Sequence, residues 1–114
     1  MTLDRLLDHS LSKQEVEETF PFGPDVLVLK VRQKVFLLIP LNSHPIQFNA
    51  KCDPERAILL REEYASIIPG YHMNKKHWNT MILDGTIPSS LILELVDHSY
   101  DLVLDTTTKK KKRT

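Results

Sequence analysis

Cysteine is nearly missing from this chain. Cys52 is the only one, so no intrachain disulfide can form and no structural thiolate metal site can be built. Glycine is also scarce. Gly23, Gly70 and Gly85 stand alone, and no glycine-rich run exists to cradle a phosphate. Long apolar runs are absent: the longest, Val35 to Leu41, covers seven residues with Pro40 counted, far short of a membrane span. The opening Met1-Thr2-Leu3-Asp4-Arg5 lacks a basic segment followed by an apolar one. No secretory signal is expected, and with the lone cysteine this points to the cytoplasm and away from a membrane.

An excess of charge of one sign is lacking too. Fifteen Lys and Arg balance fifteen Asp and Glu. The balance hides a division, because Lys109, Lys110, Lys111, Lys112 and Arg113 supply five of the cations. The body keeps ten basic against fifteen acidic side chains. That excludes a strongly basic nucleic-acid-binding domain, so any such contact comes from a local patch or from the tail. What is present is ordinary for one soluble globular domain: 114 residues, 41% hydrophobic and 26% charged, enough for a single core.

Leu3, Leu6, Leu7 and Leu11 follow helical spacing, with Thr2 as cap and Asp4 in the first turn. Ser12 and Glu15 have the spacing of a capping box. Phe20-Pro21-Phe22-Gly23-Pro24-Asp25 excludes a regular helix or central strand. Val26 to Val31 and Val35 to Ile39, separated by Arg32-Gln33-Lys34, predict a hairpin whose turn type is open. Residues 46–51 alternate apolar and polar as a half-buried strand does. Asp53-Pro54 starts a helix with Ala57, Leu60, Tyr64 and Ile68 on one face, ended by Pro69-Gly70. Trp78 to Leu83 reads as a fourth strand closed by Asp84-Gly85. A last helix begins near Pro88, with Ile92, Leu95, Val96, Ser99, Leu102 and Val103 aligned. The expectation is an α+β two-layer fold in the order α-β-β-β-α-β-α, with an antiparallel sheet. Residues 1–105 form the single domain and 106–114 a disordered basic tail.

The densest chemistry lies in Tyr71 to Thr80, which holds two histidines, two lysines, two asparagines and the only tryptophan. Lys75 and Lys76 suit phosphates, Trp78 or His77 suits stacking on a base, and Asn74 or Asn79 suits a base edge. The alternative is structural: Trp78 fills the core at a strand start, and Asn74 and Thr80 tie the preceding loop. Lys30, Arg32 and Lys34 make the first hairpin basic, either as a wing against a phosphate backbone or as a charged edge that guards against aggregation. Strict alternation places Lys30 and Arg32 on the face of Val26 and Val28.

Other chemistries find less support. His72 and His77 are five apart, His98 stands beside Asp97, and no pair has the zinc-motif spacing. Cys52 beside Asp53 reads as a small buried hydrophobe more than as a nucleophile. Asp97, His98 and Ser99 are consecutive and point different ways on a helix, so they form no triad. No catalytic residue, metal or cofactor is assigned.

Five blocks then carry a resemblance: Glu18 to Pro24, Lys51 to Glu55, Asn74 to Thr80, Asp84-Gly85 and Val96 to Tyr100. Their order and spacing resemble the MmcQ/YjbR family over residues 1–105. The resemblance implies a small bacterial protein with a fold similar to type III secretion chaperones, and DNA binding through a double-wing arrangement. It implies no catalytic residues. One departure stands out: family members often place glycines in the first hairpin turn, where this chain has Arg32-Gln33. The expected function is non-enzymatic binding of double-stranded DNA, mainly at phosphates, by Lys30, Arg32, Lys34, Asn74, Lys75, Lys76 and His77. A protein or peptide interaction module, or a small-molecule binder near Trp78 and Tyr71, are the other open readings.

Overall fold

A computed structural model describes residues 1–70 and 74–112, the side chains of 108–112 excepted. The chain runs α1 (Leu3–Leu11), β1 (Val16–Thr19), β2 (Val26–Val31), β3 (Lys34–Pro40), β4 (Gln47–Lys51), α2 (Pro54–Glu63), β5 (Ile67–Pro69), β6 (Trp78–Ile82) and α3 (Ser89–Lys112). The strands form one antiparallel sheet in the order β1-β2-β3-β4-β6-β5. The helices cover one face of it, so the architecture is the expected α+β two-layer fold.

Local signals account for the helix starts. Thr2 accepts a hydrogen bond from the Arg5 amide, and Asp53 accepts one from the Arg56 amide with Pro54 in the first turn. Ser12 does not open a capping box. It is the C-cap of α1, and its hydroxyl donates to the His9 carbonyl. The chain then enters β1, which the sequence reading missed. Nor does α2 reach Pro69-Gly70: it stops at Glu63, and Ile68 belongs to the short strand β5.

The core lies between the sheet and the helices. Leu27, Leu29, Val31, Leu37, Ile39, Phe48, Ala50 and Met81 meet Leu6, Ala57, Leu60, Ile92, Leu95, Val96 and Val103. A bulge between Leu29 and Lys30 in the β2–β3 ladder leaves Phe36 unpaired. Phe36 and Leu37, neighbours in sequence, are both fully buried against the helices as a result. The hairpin turn at Arg32-Gln33 has φ of 50° and 69°. Two positive φ values match the right-handed twist of the strands, and here two non-glycine residues adopt them.

α3 is tied to its surroundings by polar contacts. Its Ser99 hydroxyl donates to the Phe36 carbonyl at 2.6 Å and accepts from the Lys51 amide at 2.8 Å. Asp97 Oδ1 receives His9 Nε2 and Lys13 Nζ, each at 2.7 Å. Burial alone would raise the Asp97 pKa, but the hydrogen bonds from Lys13 and His9 hold it below the usual carboxylate value. The helix backbone runs on to Lys112. The Thr106 and Thr107 hydroxyls donate to the carbonyls of Val103 and Leu104.

His98 Nε2 accepts the Asp53 amide at 3.1 Å, a bond that only the neutral ring makes. Burial, helped by Arg56, lowers its pKa. The unfolded chain therefore takes up the proton first. This contribution to stability is complete above the ordinary histidine value of about 6.5 and is lost as pH falls through the lower folded value. Urea unfolding between pH 8 and pH 5 is expected to show falling stability. The fall shrinks in His98→Gln, whose carbonyl accepts the same bond and carries no proton.

Candidate nucleic-acid interface

The register decides where the basic residues meet. Val31 pairs with Lys34 at the β2–β3 turn, Leu37 with Ala50, and Lys51 with Trp78. The end of β2, the start of β3, the end of β4 and the start of β6 thus share one end of the sheet. The two basic clusters of the sequence, 45 positions apart between Lys30 and Lys75, are brought to that one end. Three strand spacings of about 4.8 Å separate β2 from β6, so roughly 14 Å lies between them.

Within this end the seven predicted residues differ. Lys34, Lys75 and Lys76 are exposed, and none has a carboxylate partner among the described residues. Lys30 is half-buried and sits opposite Glu17 on β1. Arg32 leaves the face that alternation assigned to it. Its positive φ turns the guanidinium to the helix side, where Nε and Nη2 donate to Glu15 and Nη1 donates to Thr107 on α3, all at 3.3 Å. It braces the hairpin instead of capping a wing tip.

Asn74 shapes the other cluster. Its Oδ1 accepts the Lys76 amide at 2.9 Å, and its carbonyl accepts the amides of His77 and Trp78. The result is a tight turn that holds Lys75 and Lys76 outward. His77 is half-buried, and its carbonyl receives the Cys52 amide at 2.8 Å, stitching the turn to β4. Arg61 of α2 completes the support: its Nη1 donates to the Lys75 carbonyl and its Nε to the Ala57 carbonyl.

Trp78 is buried and works as an anchor. A Cβ on Gly70 would lie 2.9 Å from the Trp78 Cβ, so this crossing admits only glycine without a shift. Asn79 does not read a base edge. It is 1% exposed and turned toward α2, where Nδ2 donates to the Ala57 carbonyl at 3.4 Å. Its Oδ1 has no hydrogen-bond partner among the described residues. Thr80 donates to Asn49 Oδ1 across the β4–β6 pair and does not tie the preceding loop. Tyr71 and His72, which entered the small-molecule and metal readings, lie outside the described residues.

Lys51 is the basic residue that sequence reading missed. It is half-buried at the end of β4, between the two clusters. The signal was the alternation of residues 46–51, which sets Gln47, Asn49 and Lys51 on one face. Beside it, the Cys52 thiol is buried, and desolvation pushes its pKa up to about 11 despite the opposing field of Arg56. It is a poor nucleophile. Among the described residues no three His, Cys, Asp or Glu side chains gather as a metal site, and no helix is long and apolar enough to cross a membrane.

A six-stranded antiparallel sheet backed by three helices, with a cationic end, defines a class of small α+β domain. The chain belongs to the YjbR family, whose model matches residues 11–102. It is 39% identical over 99 residues to the protein YbdF of Escherichia coli O157:H7, covering 86% of this chain and 80% of the relative. It is 31% identical over 113 residues to the protein YjbR of Escherichia coli K12, covering 99% and 96%. Among solved structures, Deinococcus radiodurans protein DR2400, of domain family DUF419, superposes with a TM-score of 0.86 at 42% identity, over 90% of this chain and 78% of that one. A Pseudomonas syringae protein superposes at 0.77 with 26% identity, over 90% and 99%.

Proposed function

We propose that this protein binds double-stranded DNA in the bacterial cytoplasm, without catalysis, chiefly through phosphate contacts made by Lys34, Lys75 and Lys76. The observation that carries this reading is the convergence of two sequence-distant basic clusters at one end of the sheet, each presented on a tight turn. Lys51 lies between them. The backbone of α3 passes the same end, since Thr107 touches Arg32 there, and it carries the chain on toward the lysines at 109–112. Phosphate contact of this kind is independent of base sequence and sensitive to salt. The acidic excess of the body keeps it local and modest in affinity.

Fluorescence anisotropy with a labelled duplex at several salt concentrations tests the reading. The wild-type chain is expected to bind with log K falling linearly against log salt. Lys34→Ala/Lys75→Ala/Lys76→Ala should reduce that slope by roughly 0.9 for each lysine that meets a phosphate. All three side chains are exposed, so the variant should keep its fold. Absence of salt-dependent binding at micromolar protein, or an unchanged slope in the triple variant, refutes it.

A further inference from the structure

The segment Phe20-Pro21-Phe22-Gly23-Pro24 plays no part in the cationic end, because it lies at the opposite one. β1 finishes at Thr19 opposite Val28, and β3 finishes at Pro40 opposite Val26. The connector is held in shape by its own backbone: the Gly23 amide donates to the Phe20 carbonyl at 3.2 Å, and the Leu41 amide to the Asp25 carbonyl at 2.7 Å. Gly23 has φ +99°, which an L side chain rarely adopts. This ordered turn leaves Phe20 49% and Phe22 70% exposed. Phe20, Gly23, Pro24 and Leu41 line an open concavity of about 470 Å³.

Two further observations define what would fill it. β1 is an edge strand with no strand on its outer side among the described residues, so its backbone can accept an added strand. Glu17, Glu18 and Asp25 are exposed along the approach, and none forms an ion pair among the described residues. Glu18 and Asp25 repel phosphate, so the turn is no extension of the DNA surface, while Glu17, opposite Lys30, stands nearer the cationic end. A two-fold copy would set these carboxylates against themselves. A cationic peptide meets both the apolar hollow and the acidic flank.

We propose that β1 and the Phe20–Pro24 turn form a docking site for an extended peptide segment of a partner protein. The segment adds to the sheet edge, seats a bulky apolar side chain against Phe20 and Phe22, and sets Lys or Arg beside Glu17, Glu18 and Asp25. Main-chain pairing supplies affinity, and the hollow and carboxylates supply selection.

The test titrates the isotope-labelled full chain with two synthetic peptides, Lys-Phe-Lys-Leu-Lys-Val-Lys and its analogue with glutamate in place of lysine. The basic peptide should give saturable amide shifts in Glu17, Glu18, Thr19, Phe20, Gly23 and Leu41, and the acidic one none. Phe22→Ser, at a side chain exposed enough to leave the fold unchanged by circular dichroism, should weaken the basic peptide about ten-fold or more. Glu18→Lys/Asp25→Lys should abolish the preference for it. Absence of saturable shifts, shifts centred on the Lys75–Lys76 turn, or equal binding of both peptides overturns the proposal. So does self-association that Phe22→Ser abolishes, which would assign the patch to a second copy of this chain.

Discussion

Phe36→Ala is expected to lower folding stability by about 3–5 kcal/mol, the usual cost of emptying a fully buried aromatic site. The side chain is 0% exposed, and its ring meets Tyr100 edge-to-face, with centroids 5.4 Å apart and planes at 83°. The void cannot close easily. Tyr100 is pinned from its far end, where its hydroxyl donates to the Gln14 carbonyl at 2.6 Å, and Lys13 lies over its ring. On the other side Phe36 sits in a bulge whose backbone is fixed by Ser99. Against a total stability of roughly 5–15 kcal/mol, such a loss leaves a domain close to unfolding. Urea titration at pH 7.5 measures it. A cost below about 1.5 kcal/mol would mean that the bulge relaxes and the core repacks. Phe36→Leu should cost much less, since it keeps most of the apolar volume.

Ser99→Ala is expected to cost about 2–4 kcal/mol, although it removes one oxygen atom. That hydroxyl, on a fully buried side chain, serves two backbone groups, the partly buried Lys51 amide and the buried Phe36 carbonyl. An orphaned buried donor or acceptor costs roughly 1–3 kcal/mol. The carbonyl retains a second lone pair, so the amide should dominate. The comparison with Ser10→Ala is decisive. Ser10 is equally buried, but its hydroxyl donates to the Leu6 carbonyl, four residues back in its own helix. That carbonyl is served by the helix ladder as well, so the Ser10 variant should lose under about 1 kcal/mol. Denaturation of both variants, with hydrogen exchange at the Lys51 amide, separates the two. Equal losses at the two sites would show that burial alone, not the bridge, sets the cost.

Both residues were visible as apolar or helix-face positions in the sequence, and neither role was. Phe36 belonged to a run expected to form a strand, where alternation would place it opposite Leu37. The bulge that puts both on one side arises from the pairing of two strands and has no local signature. Ser99 lay on the buried stripe of α3, but its partners are 48 and 63 residues away in the chain. The edge strands were illegible for a related reason. Val16-Glu17-Glu18-Thr19 and Ile67-Ile68-Pro69 are short, and β1 is largely polar. Each becomes a strand because a neighbour offers it a ladder.

The candidate interface shows the same division. Lys75 and Lys76 were legible as cations beside a strand start, and Trp78 as an anchor with an apolar run behind it. Asn74 was counted among the contacts, but its side chain builds the turn that presents them. Arg32 was placed at a wing tip, but Glu15 and Thr107 engage it.

The sequence by itself determined the helix caps at Thr2 and Asp53, the buried stripe of α3, the central hairpin, the two-layer class and the family. Each of these rests on spacing within one segment or on motifs in order along the chain. The tertiary structure decided that two basic clusters share one end of the sheet and that an acidic, aromatic turn occupies the other. It also decided which cations among the described residues are left without a carboxylate. Those outcomes follow from strand register, and register is a property of pairs of segments, fixed only when distant parts of the chain bury their apolar faces together.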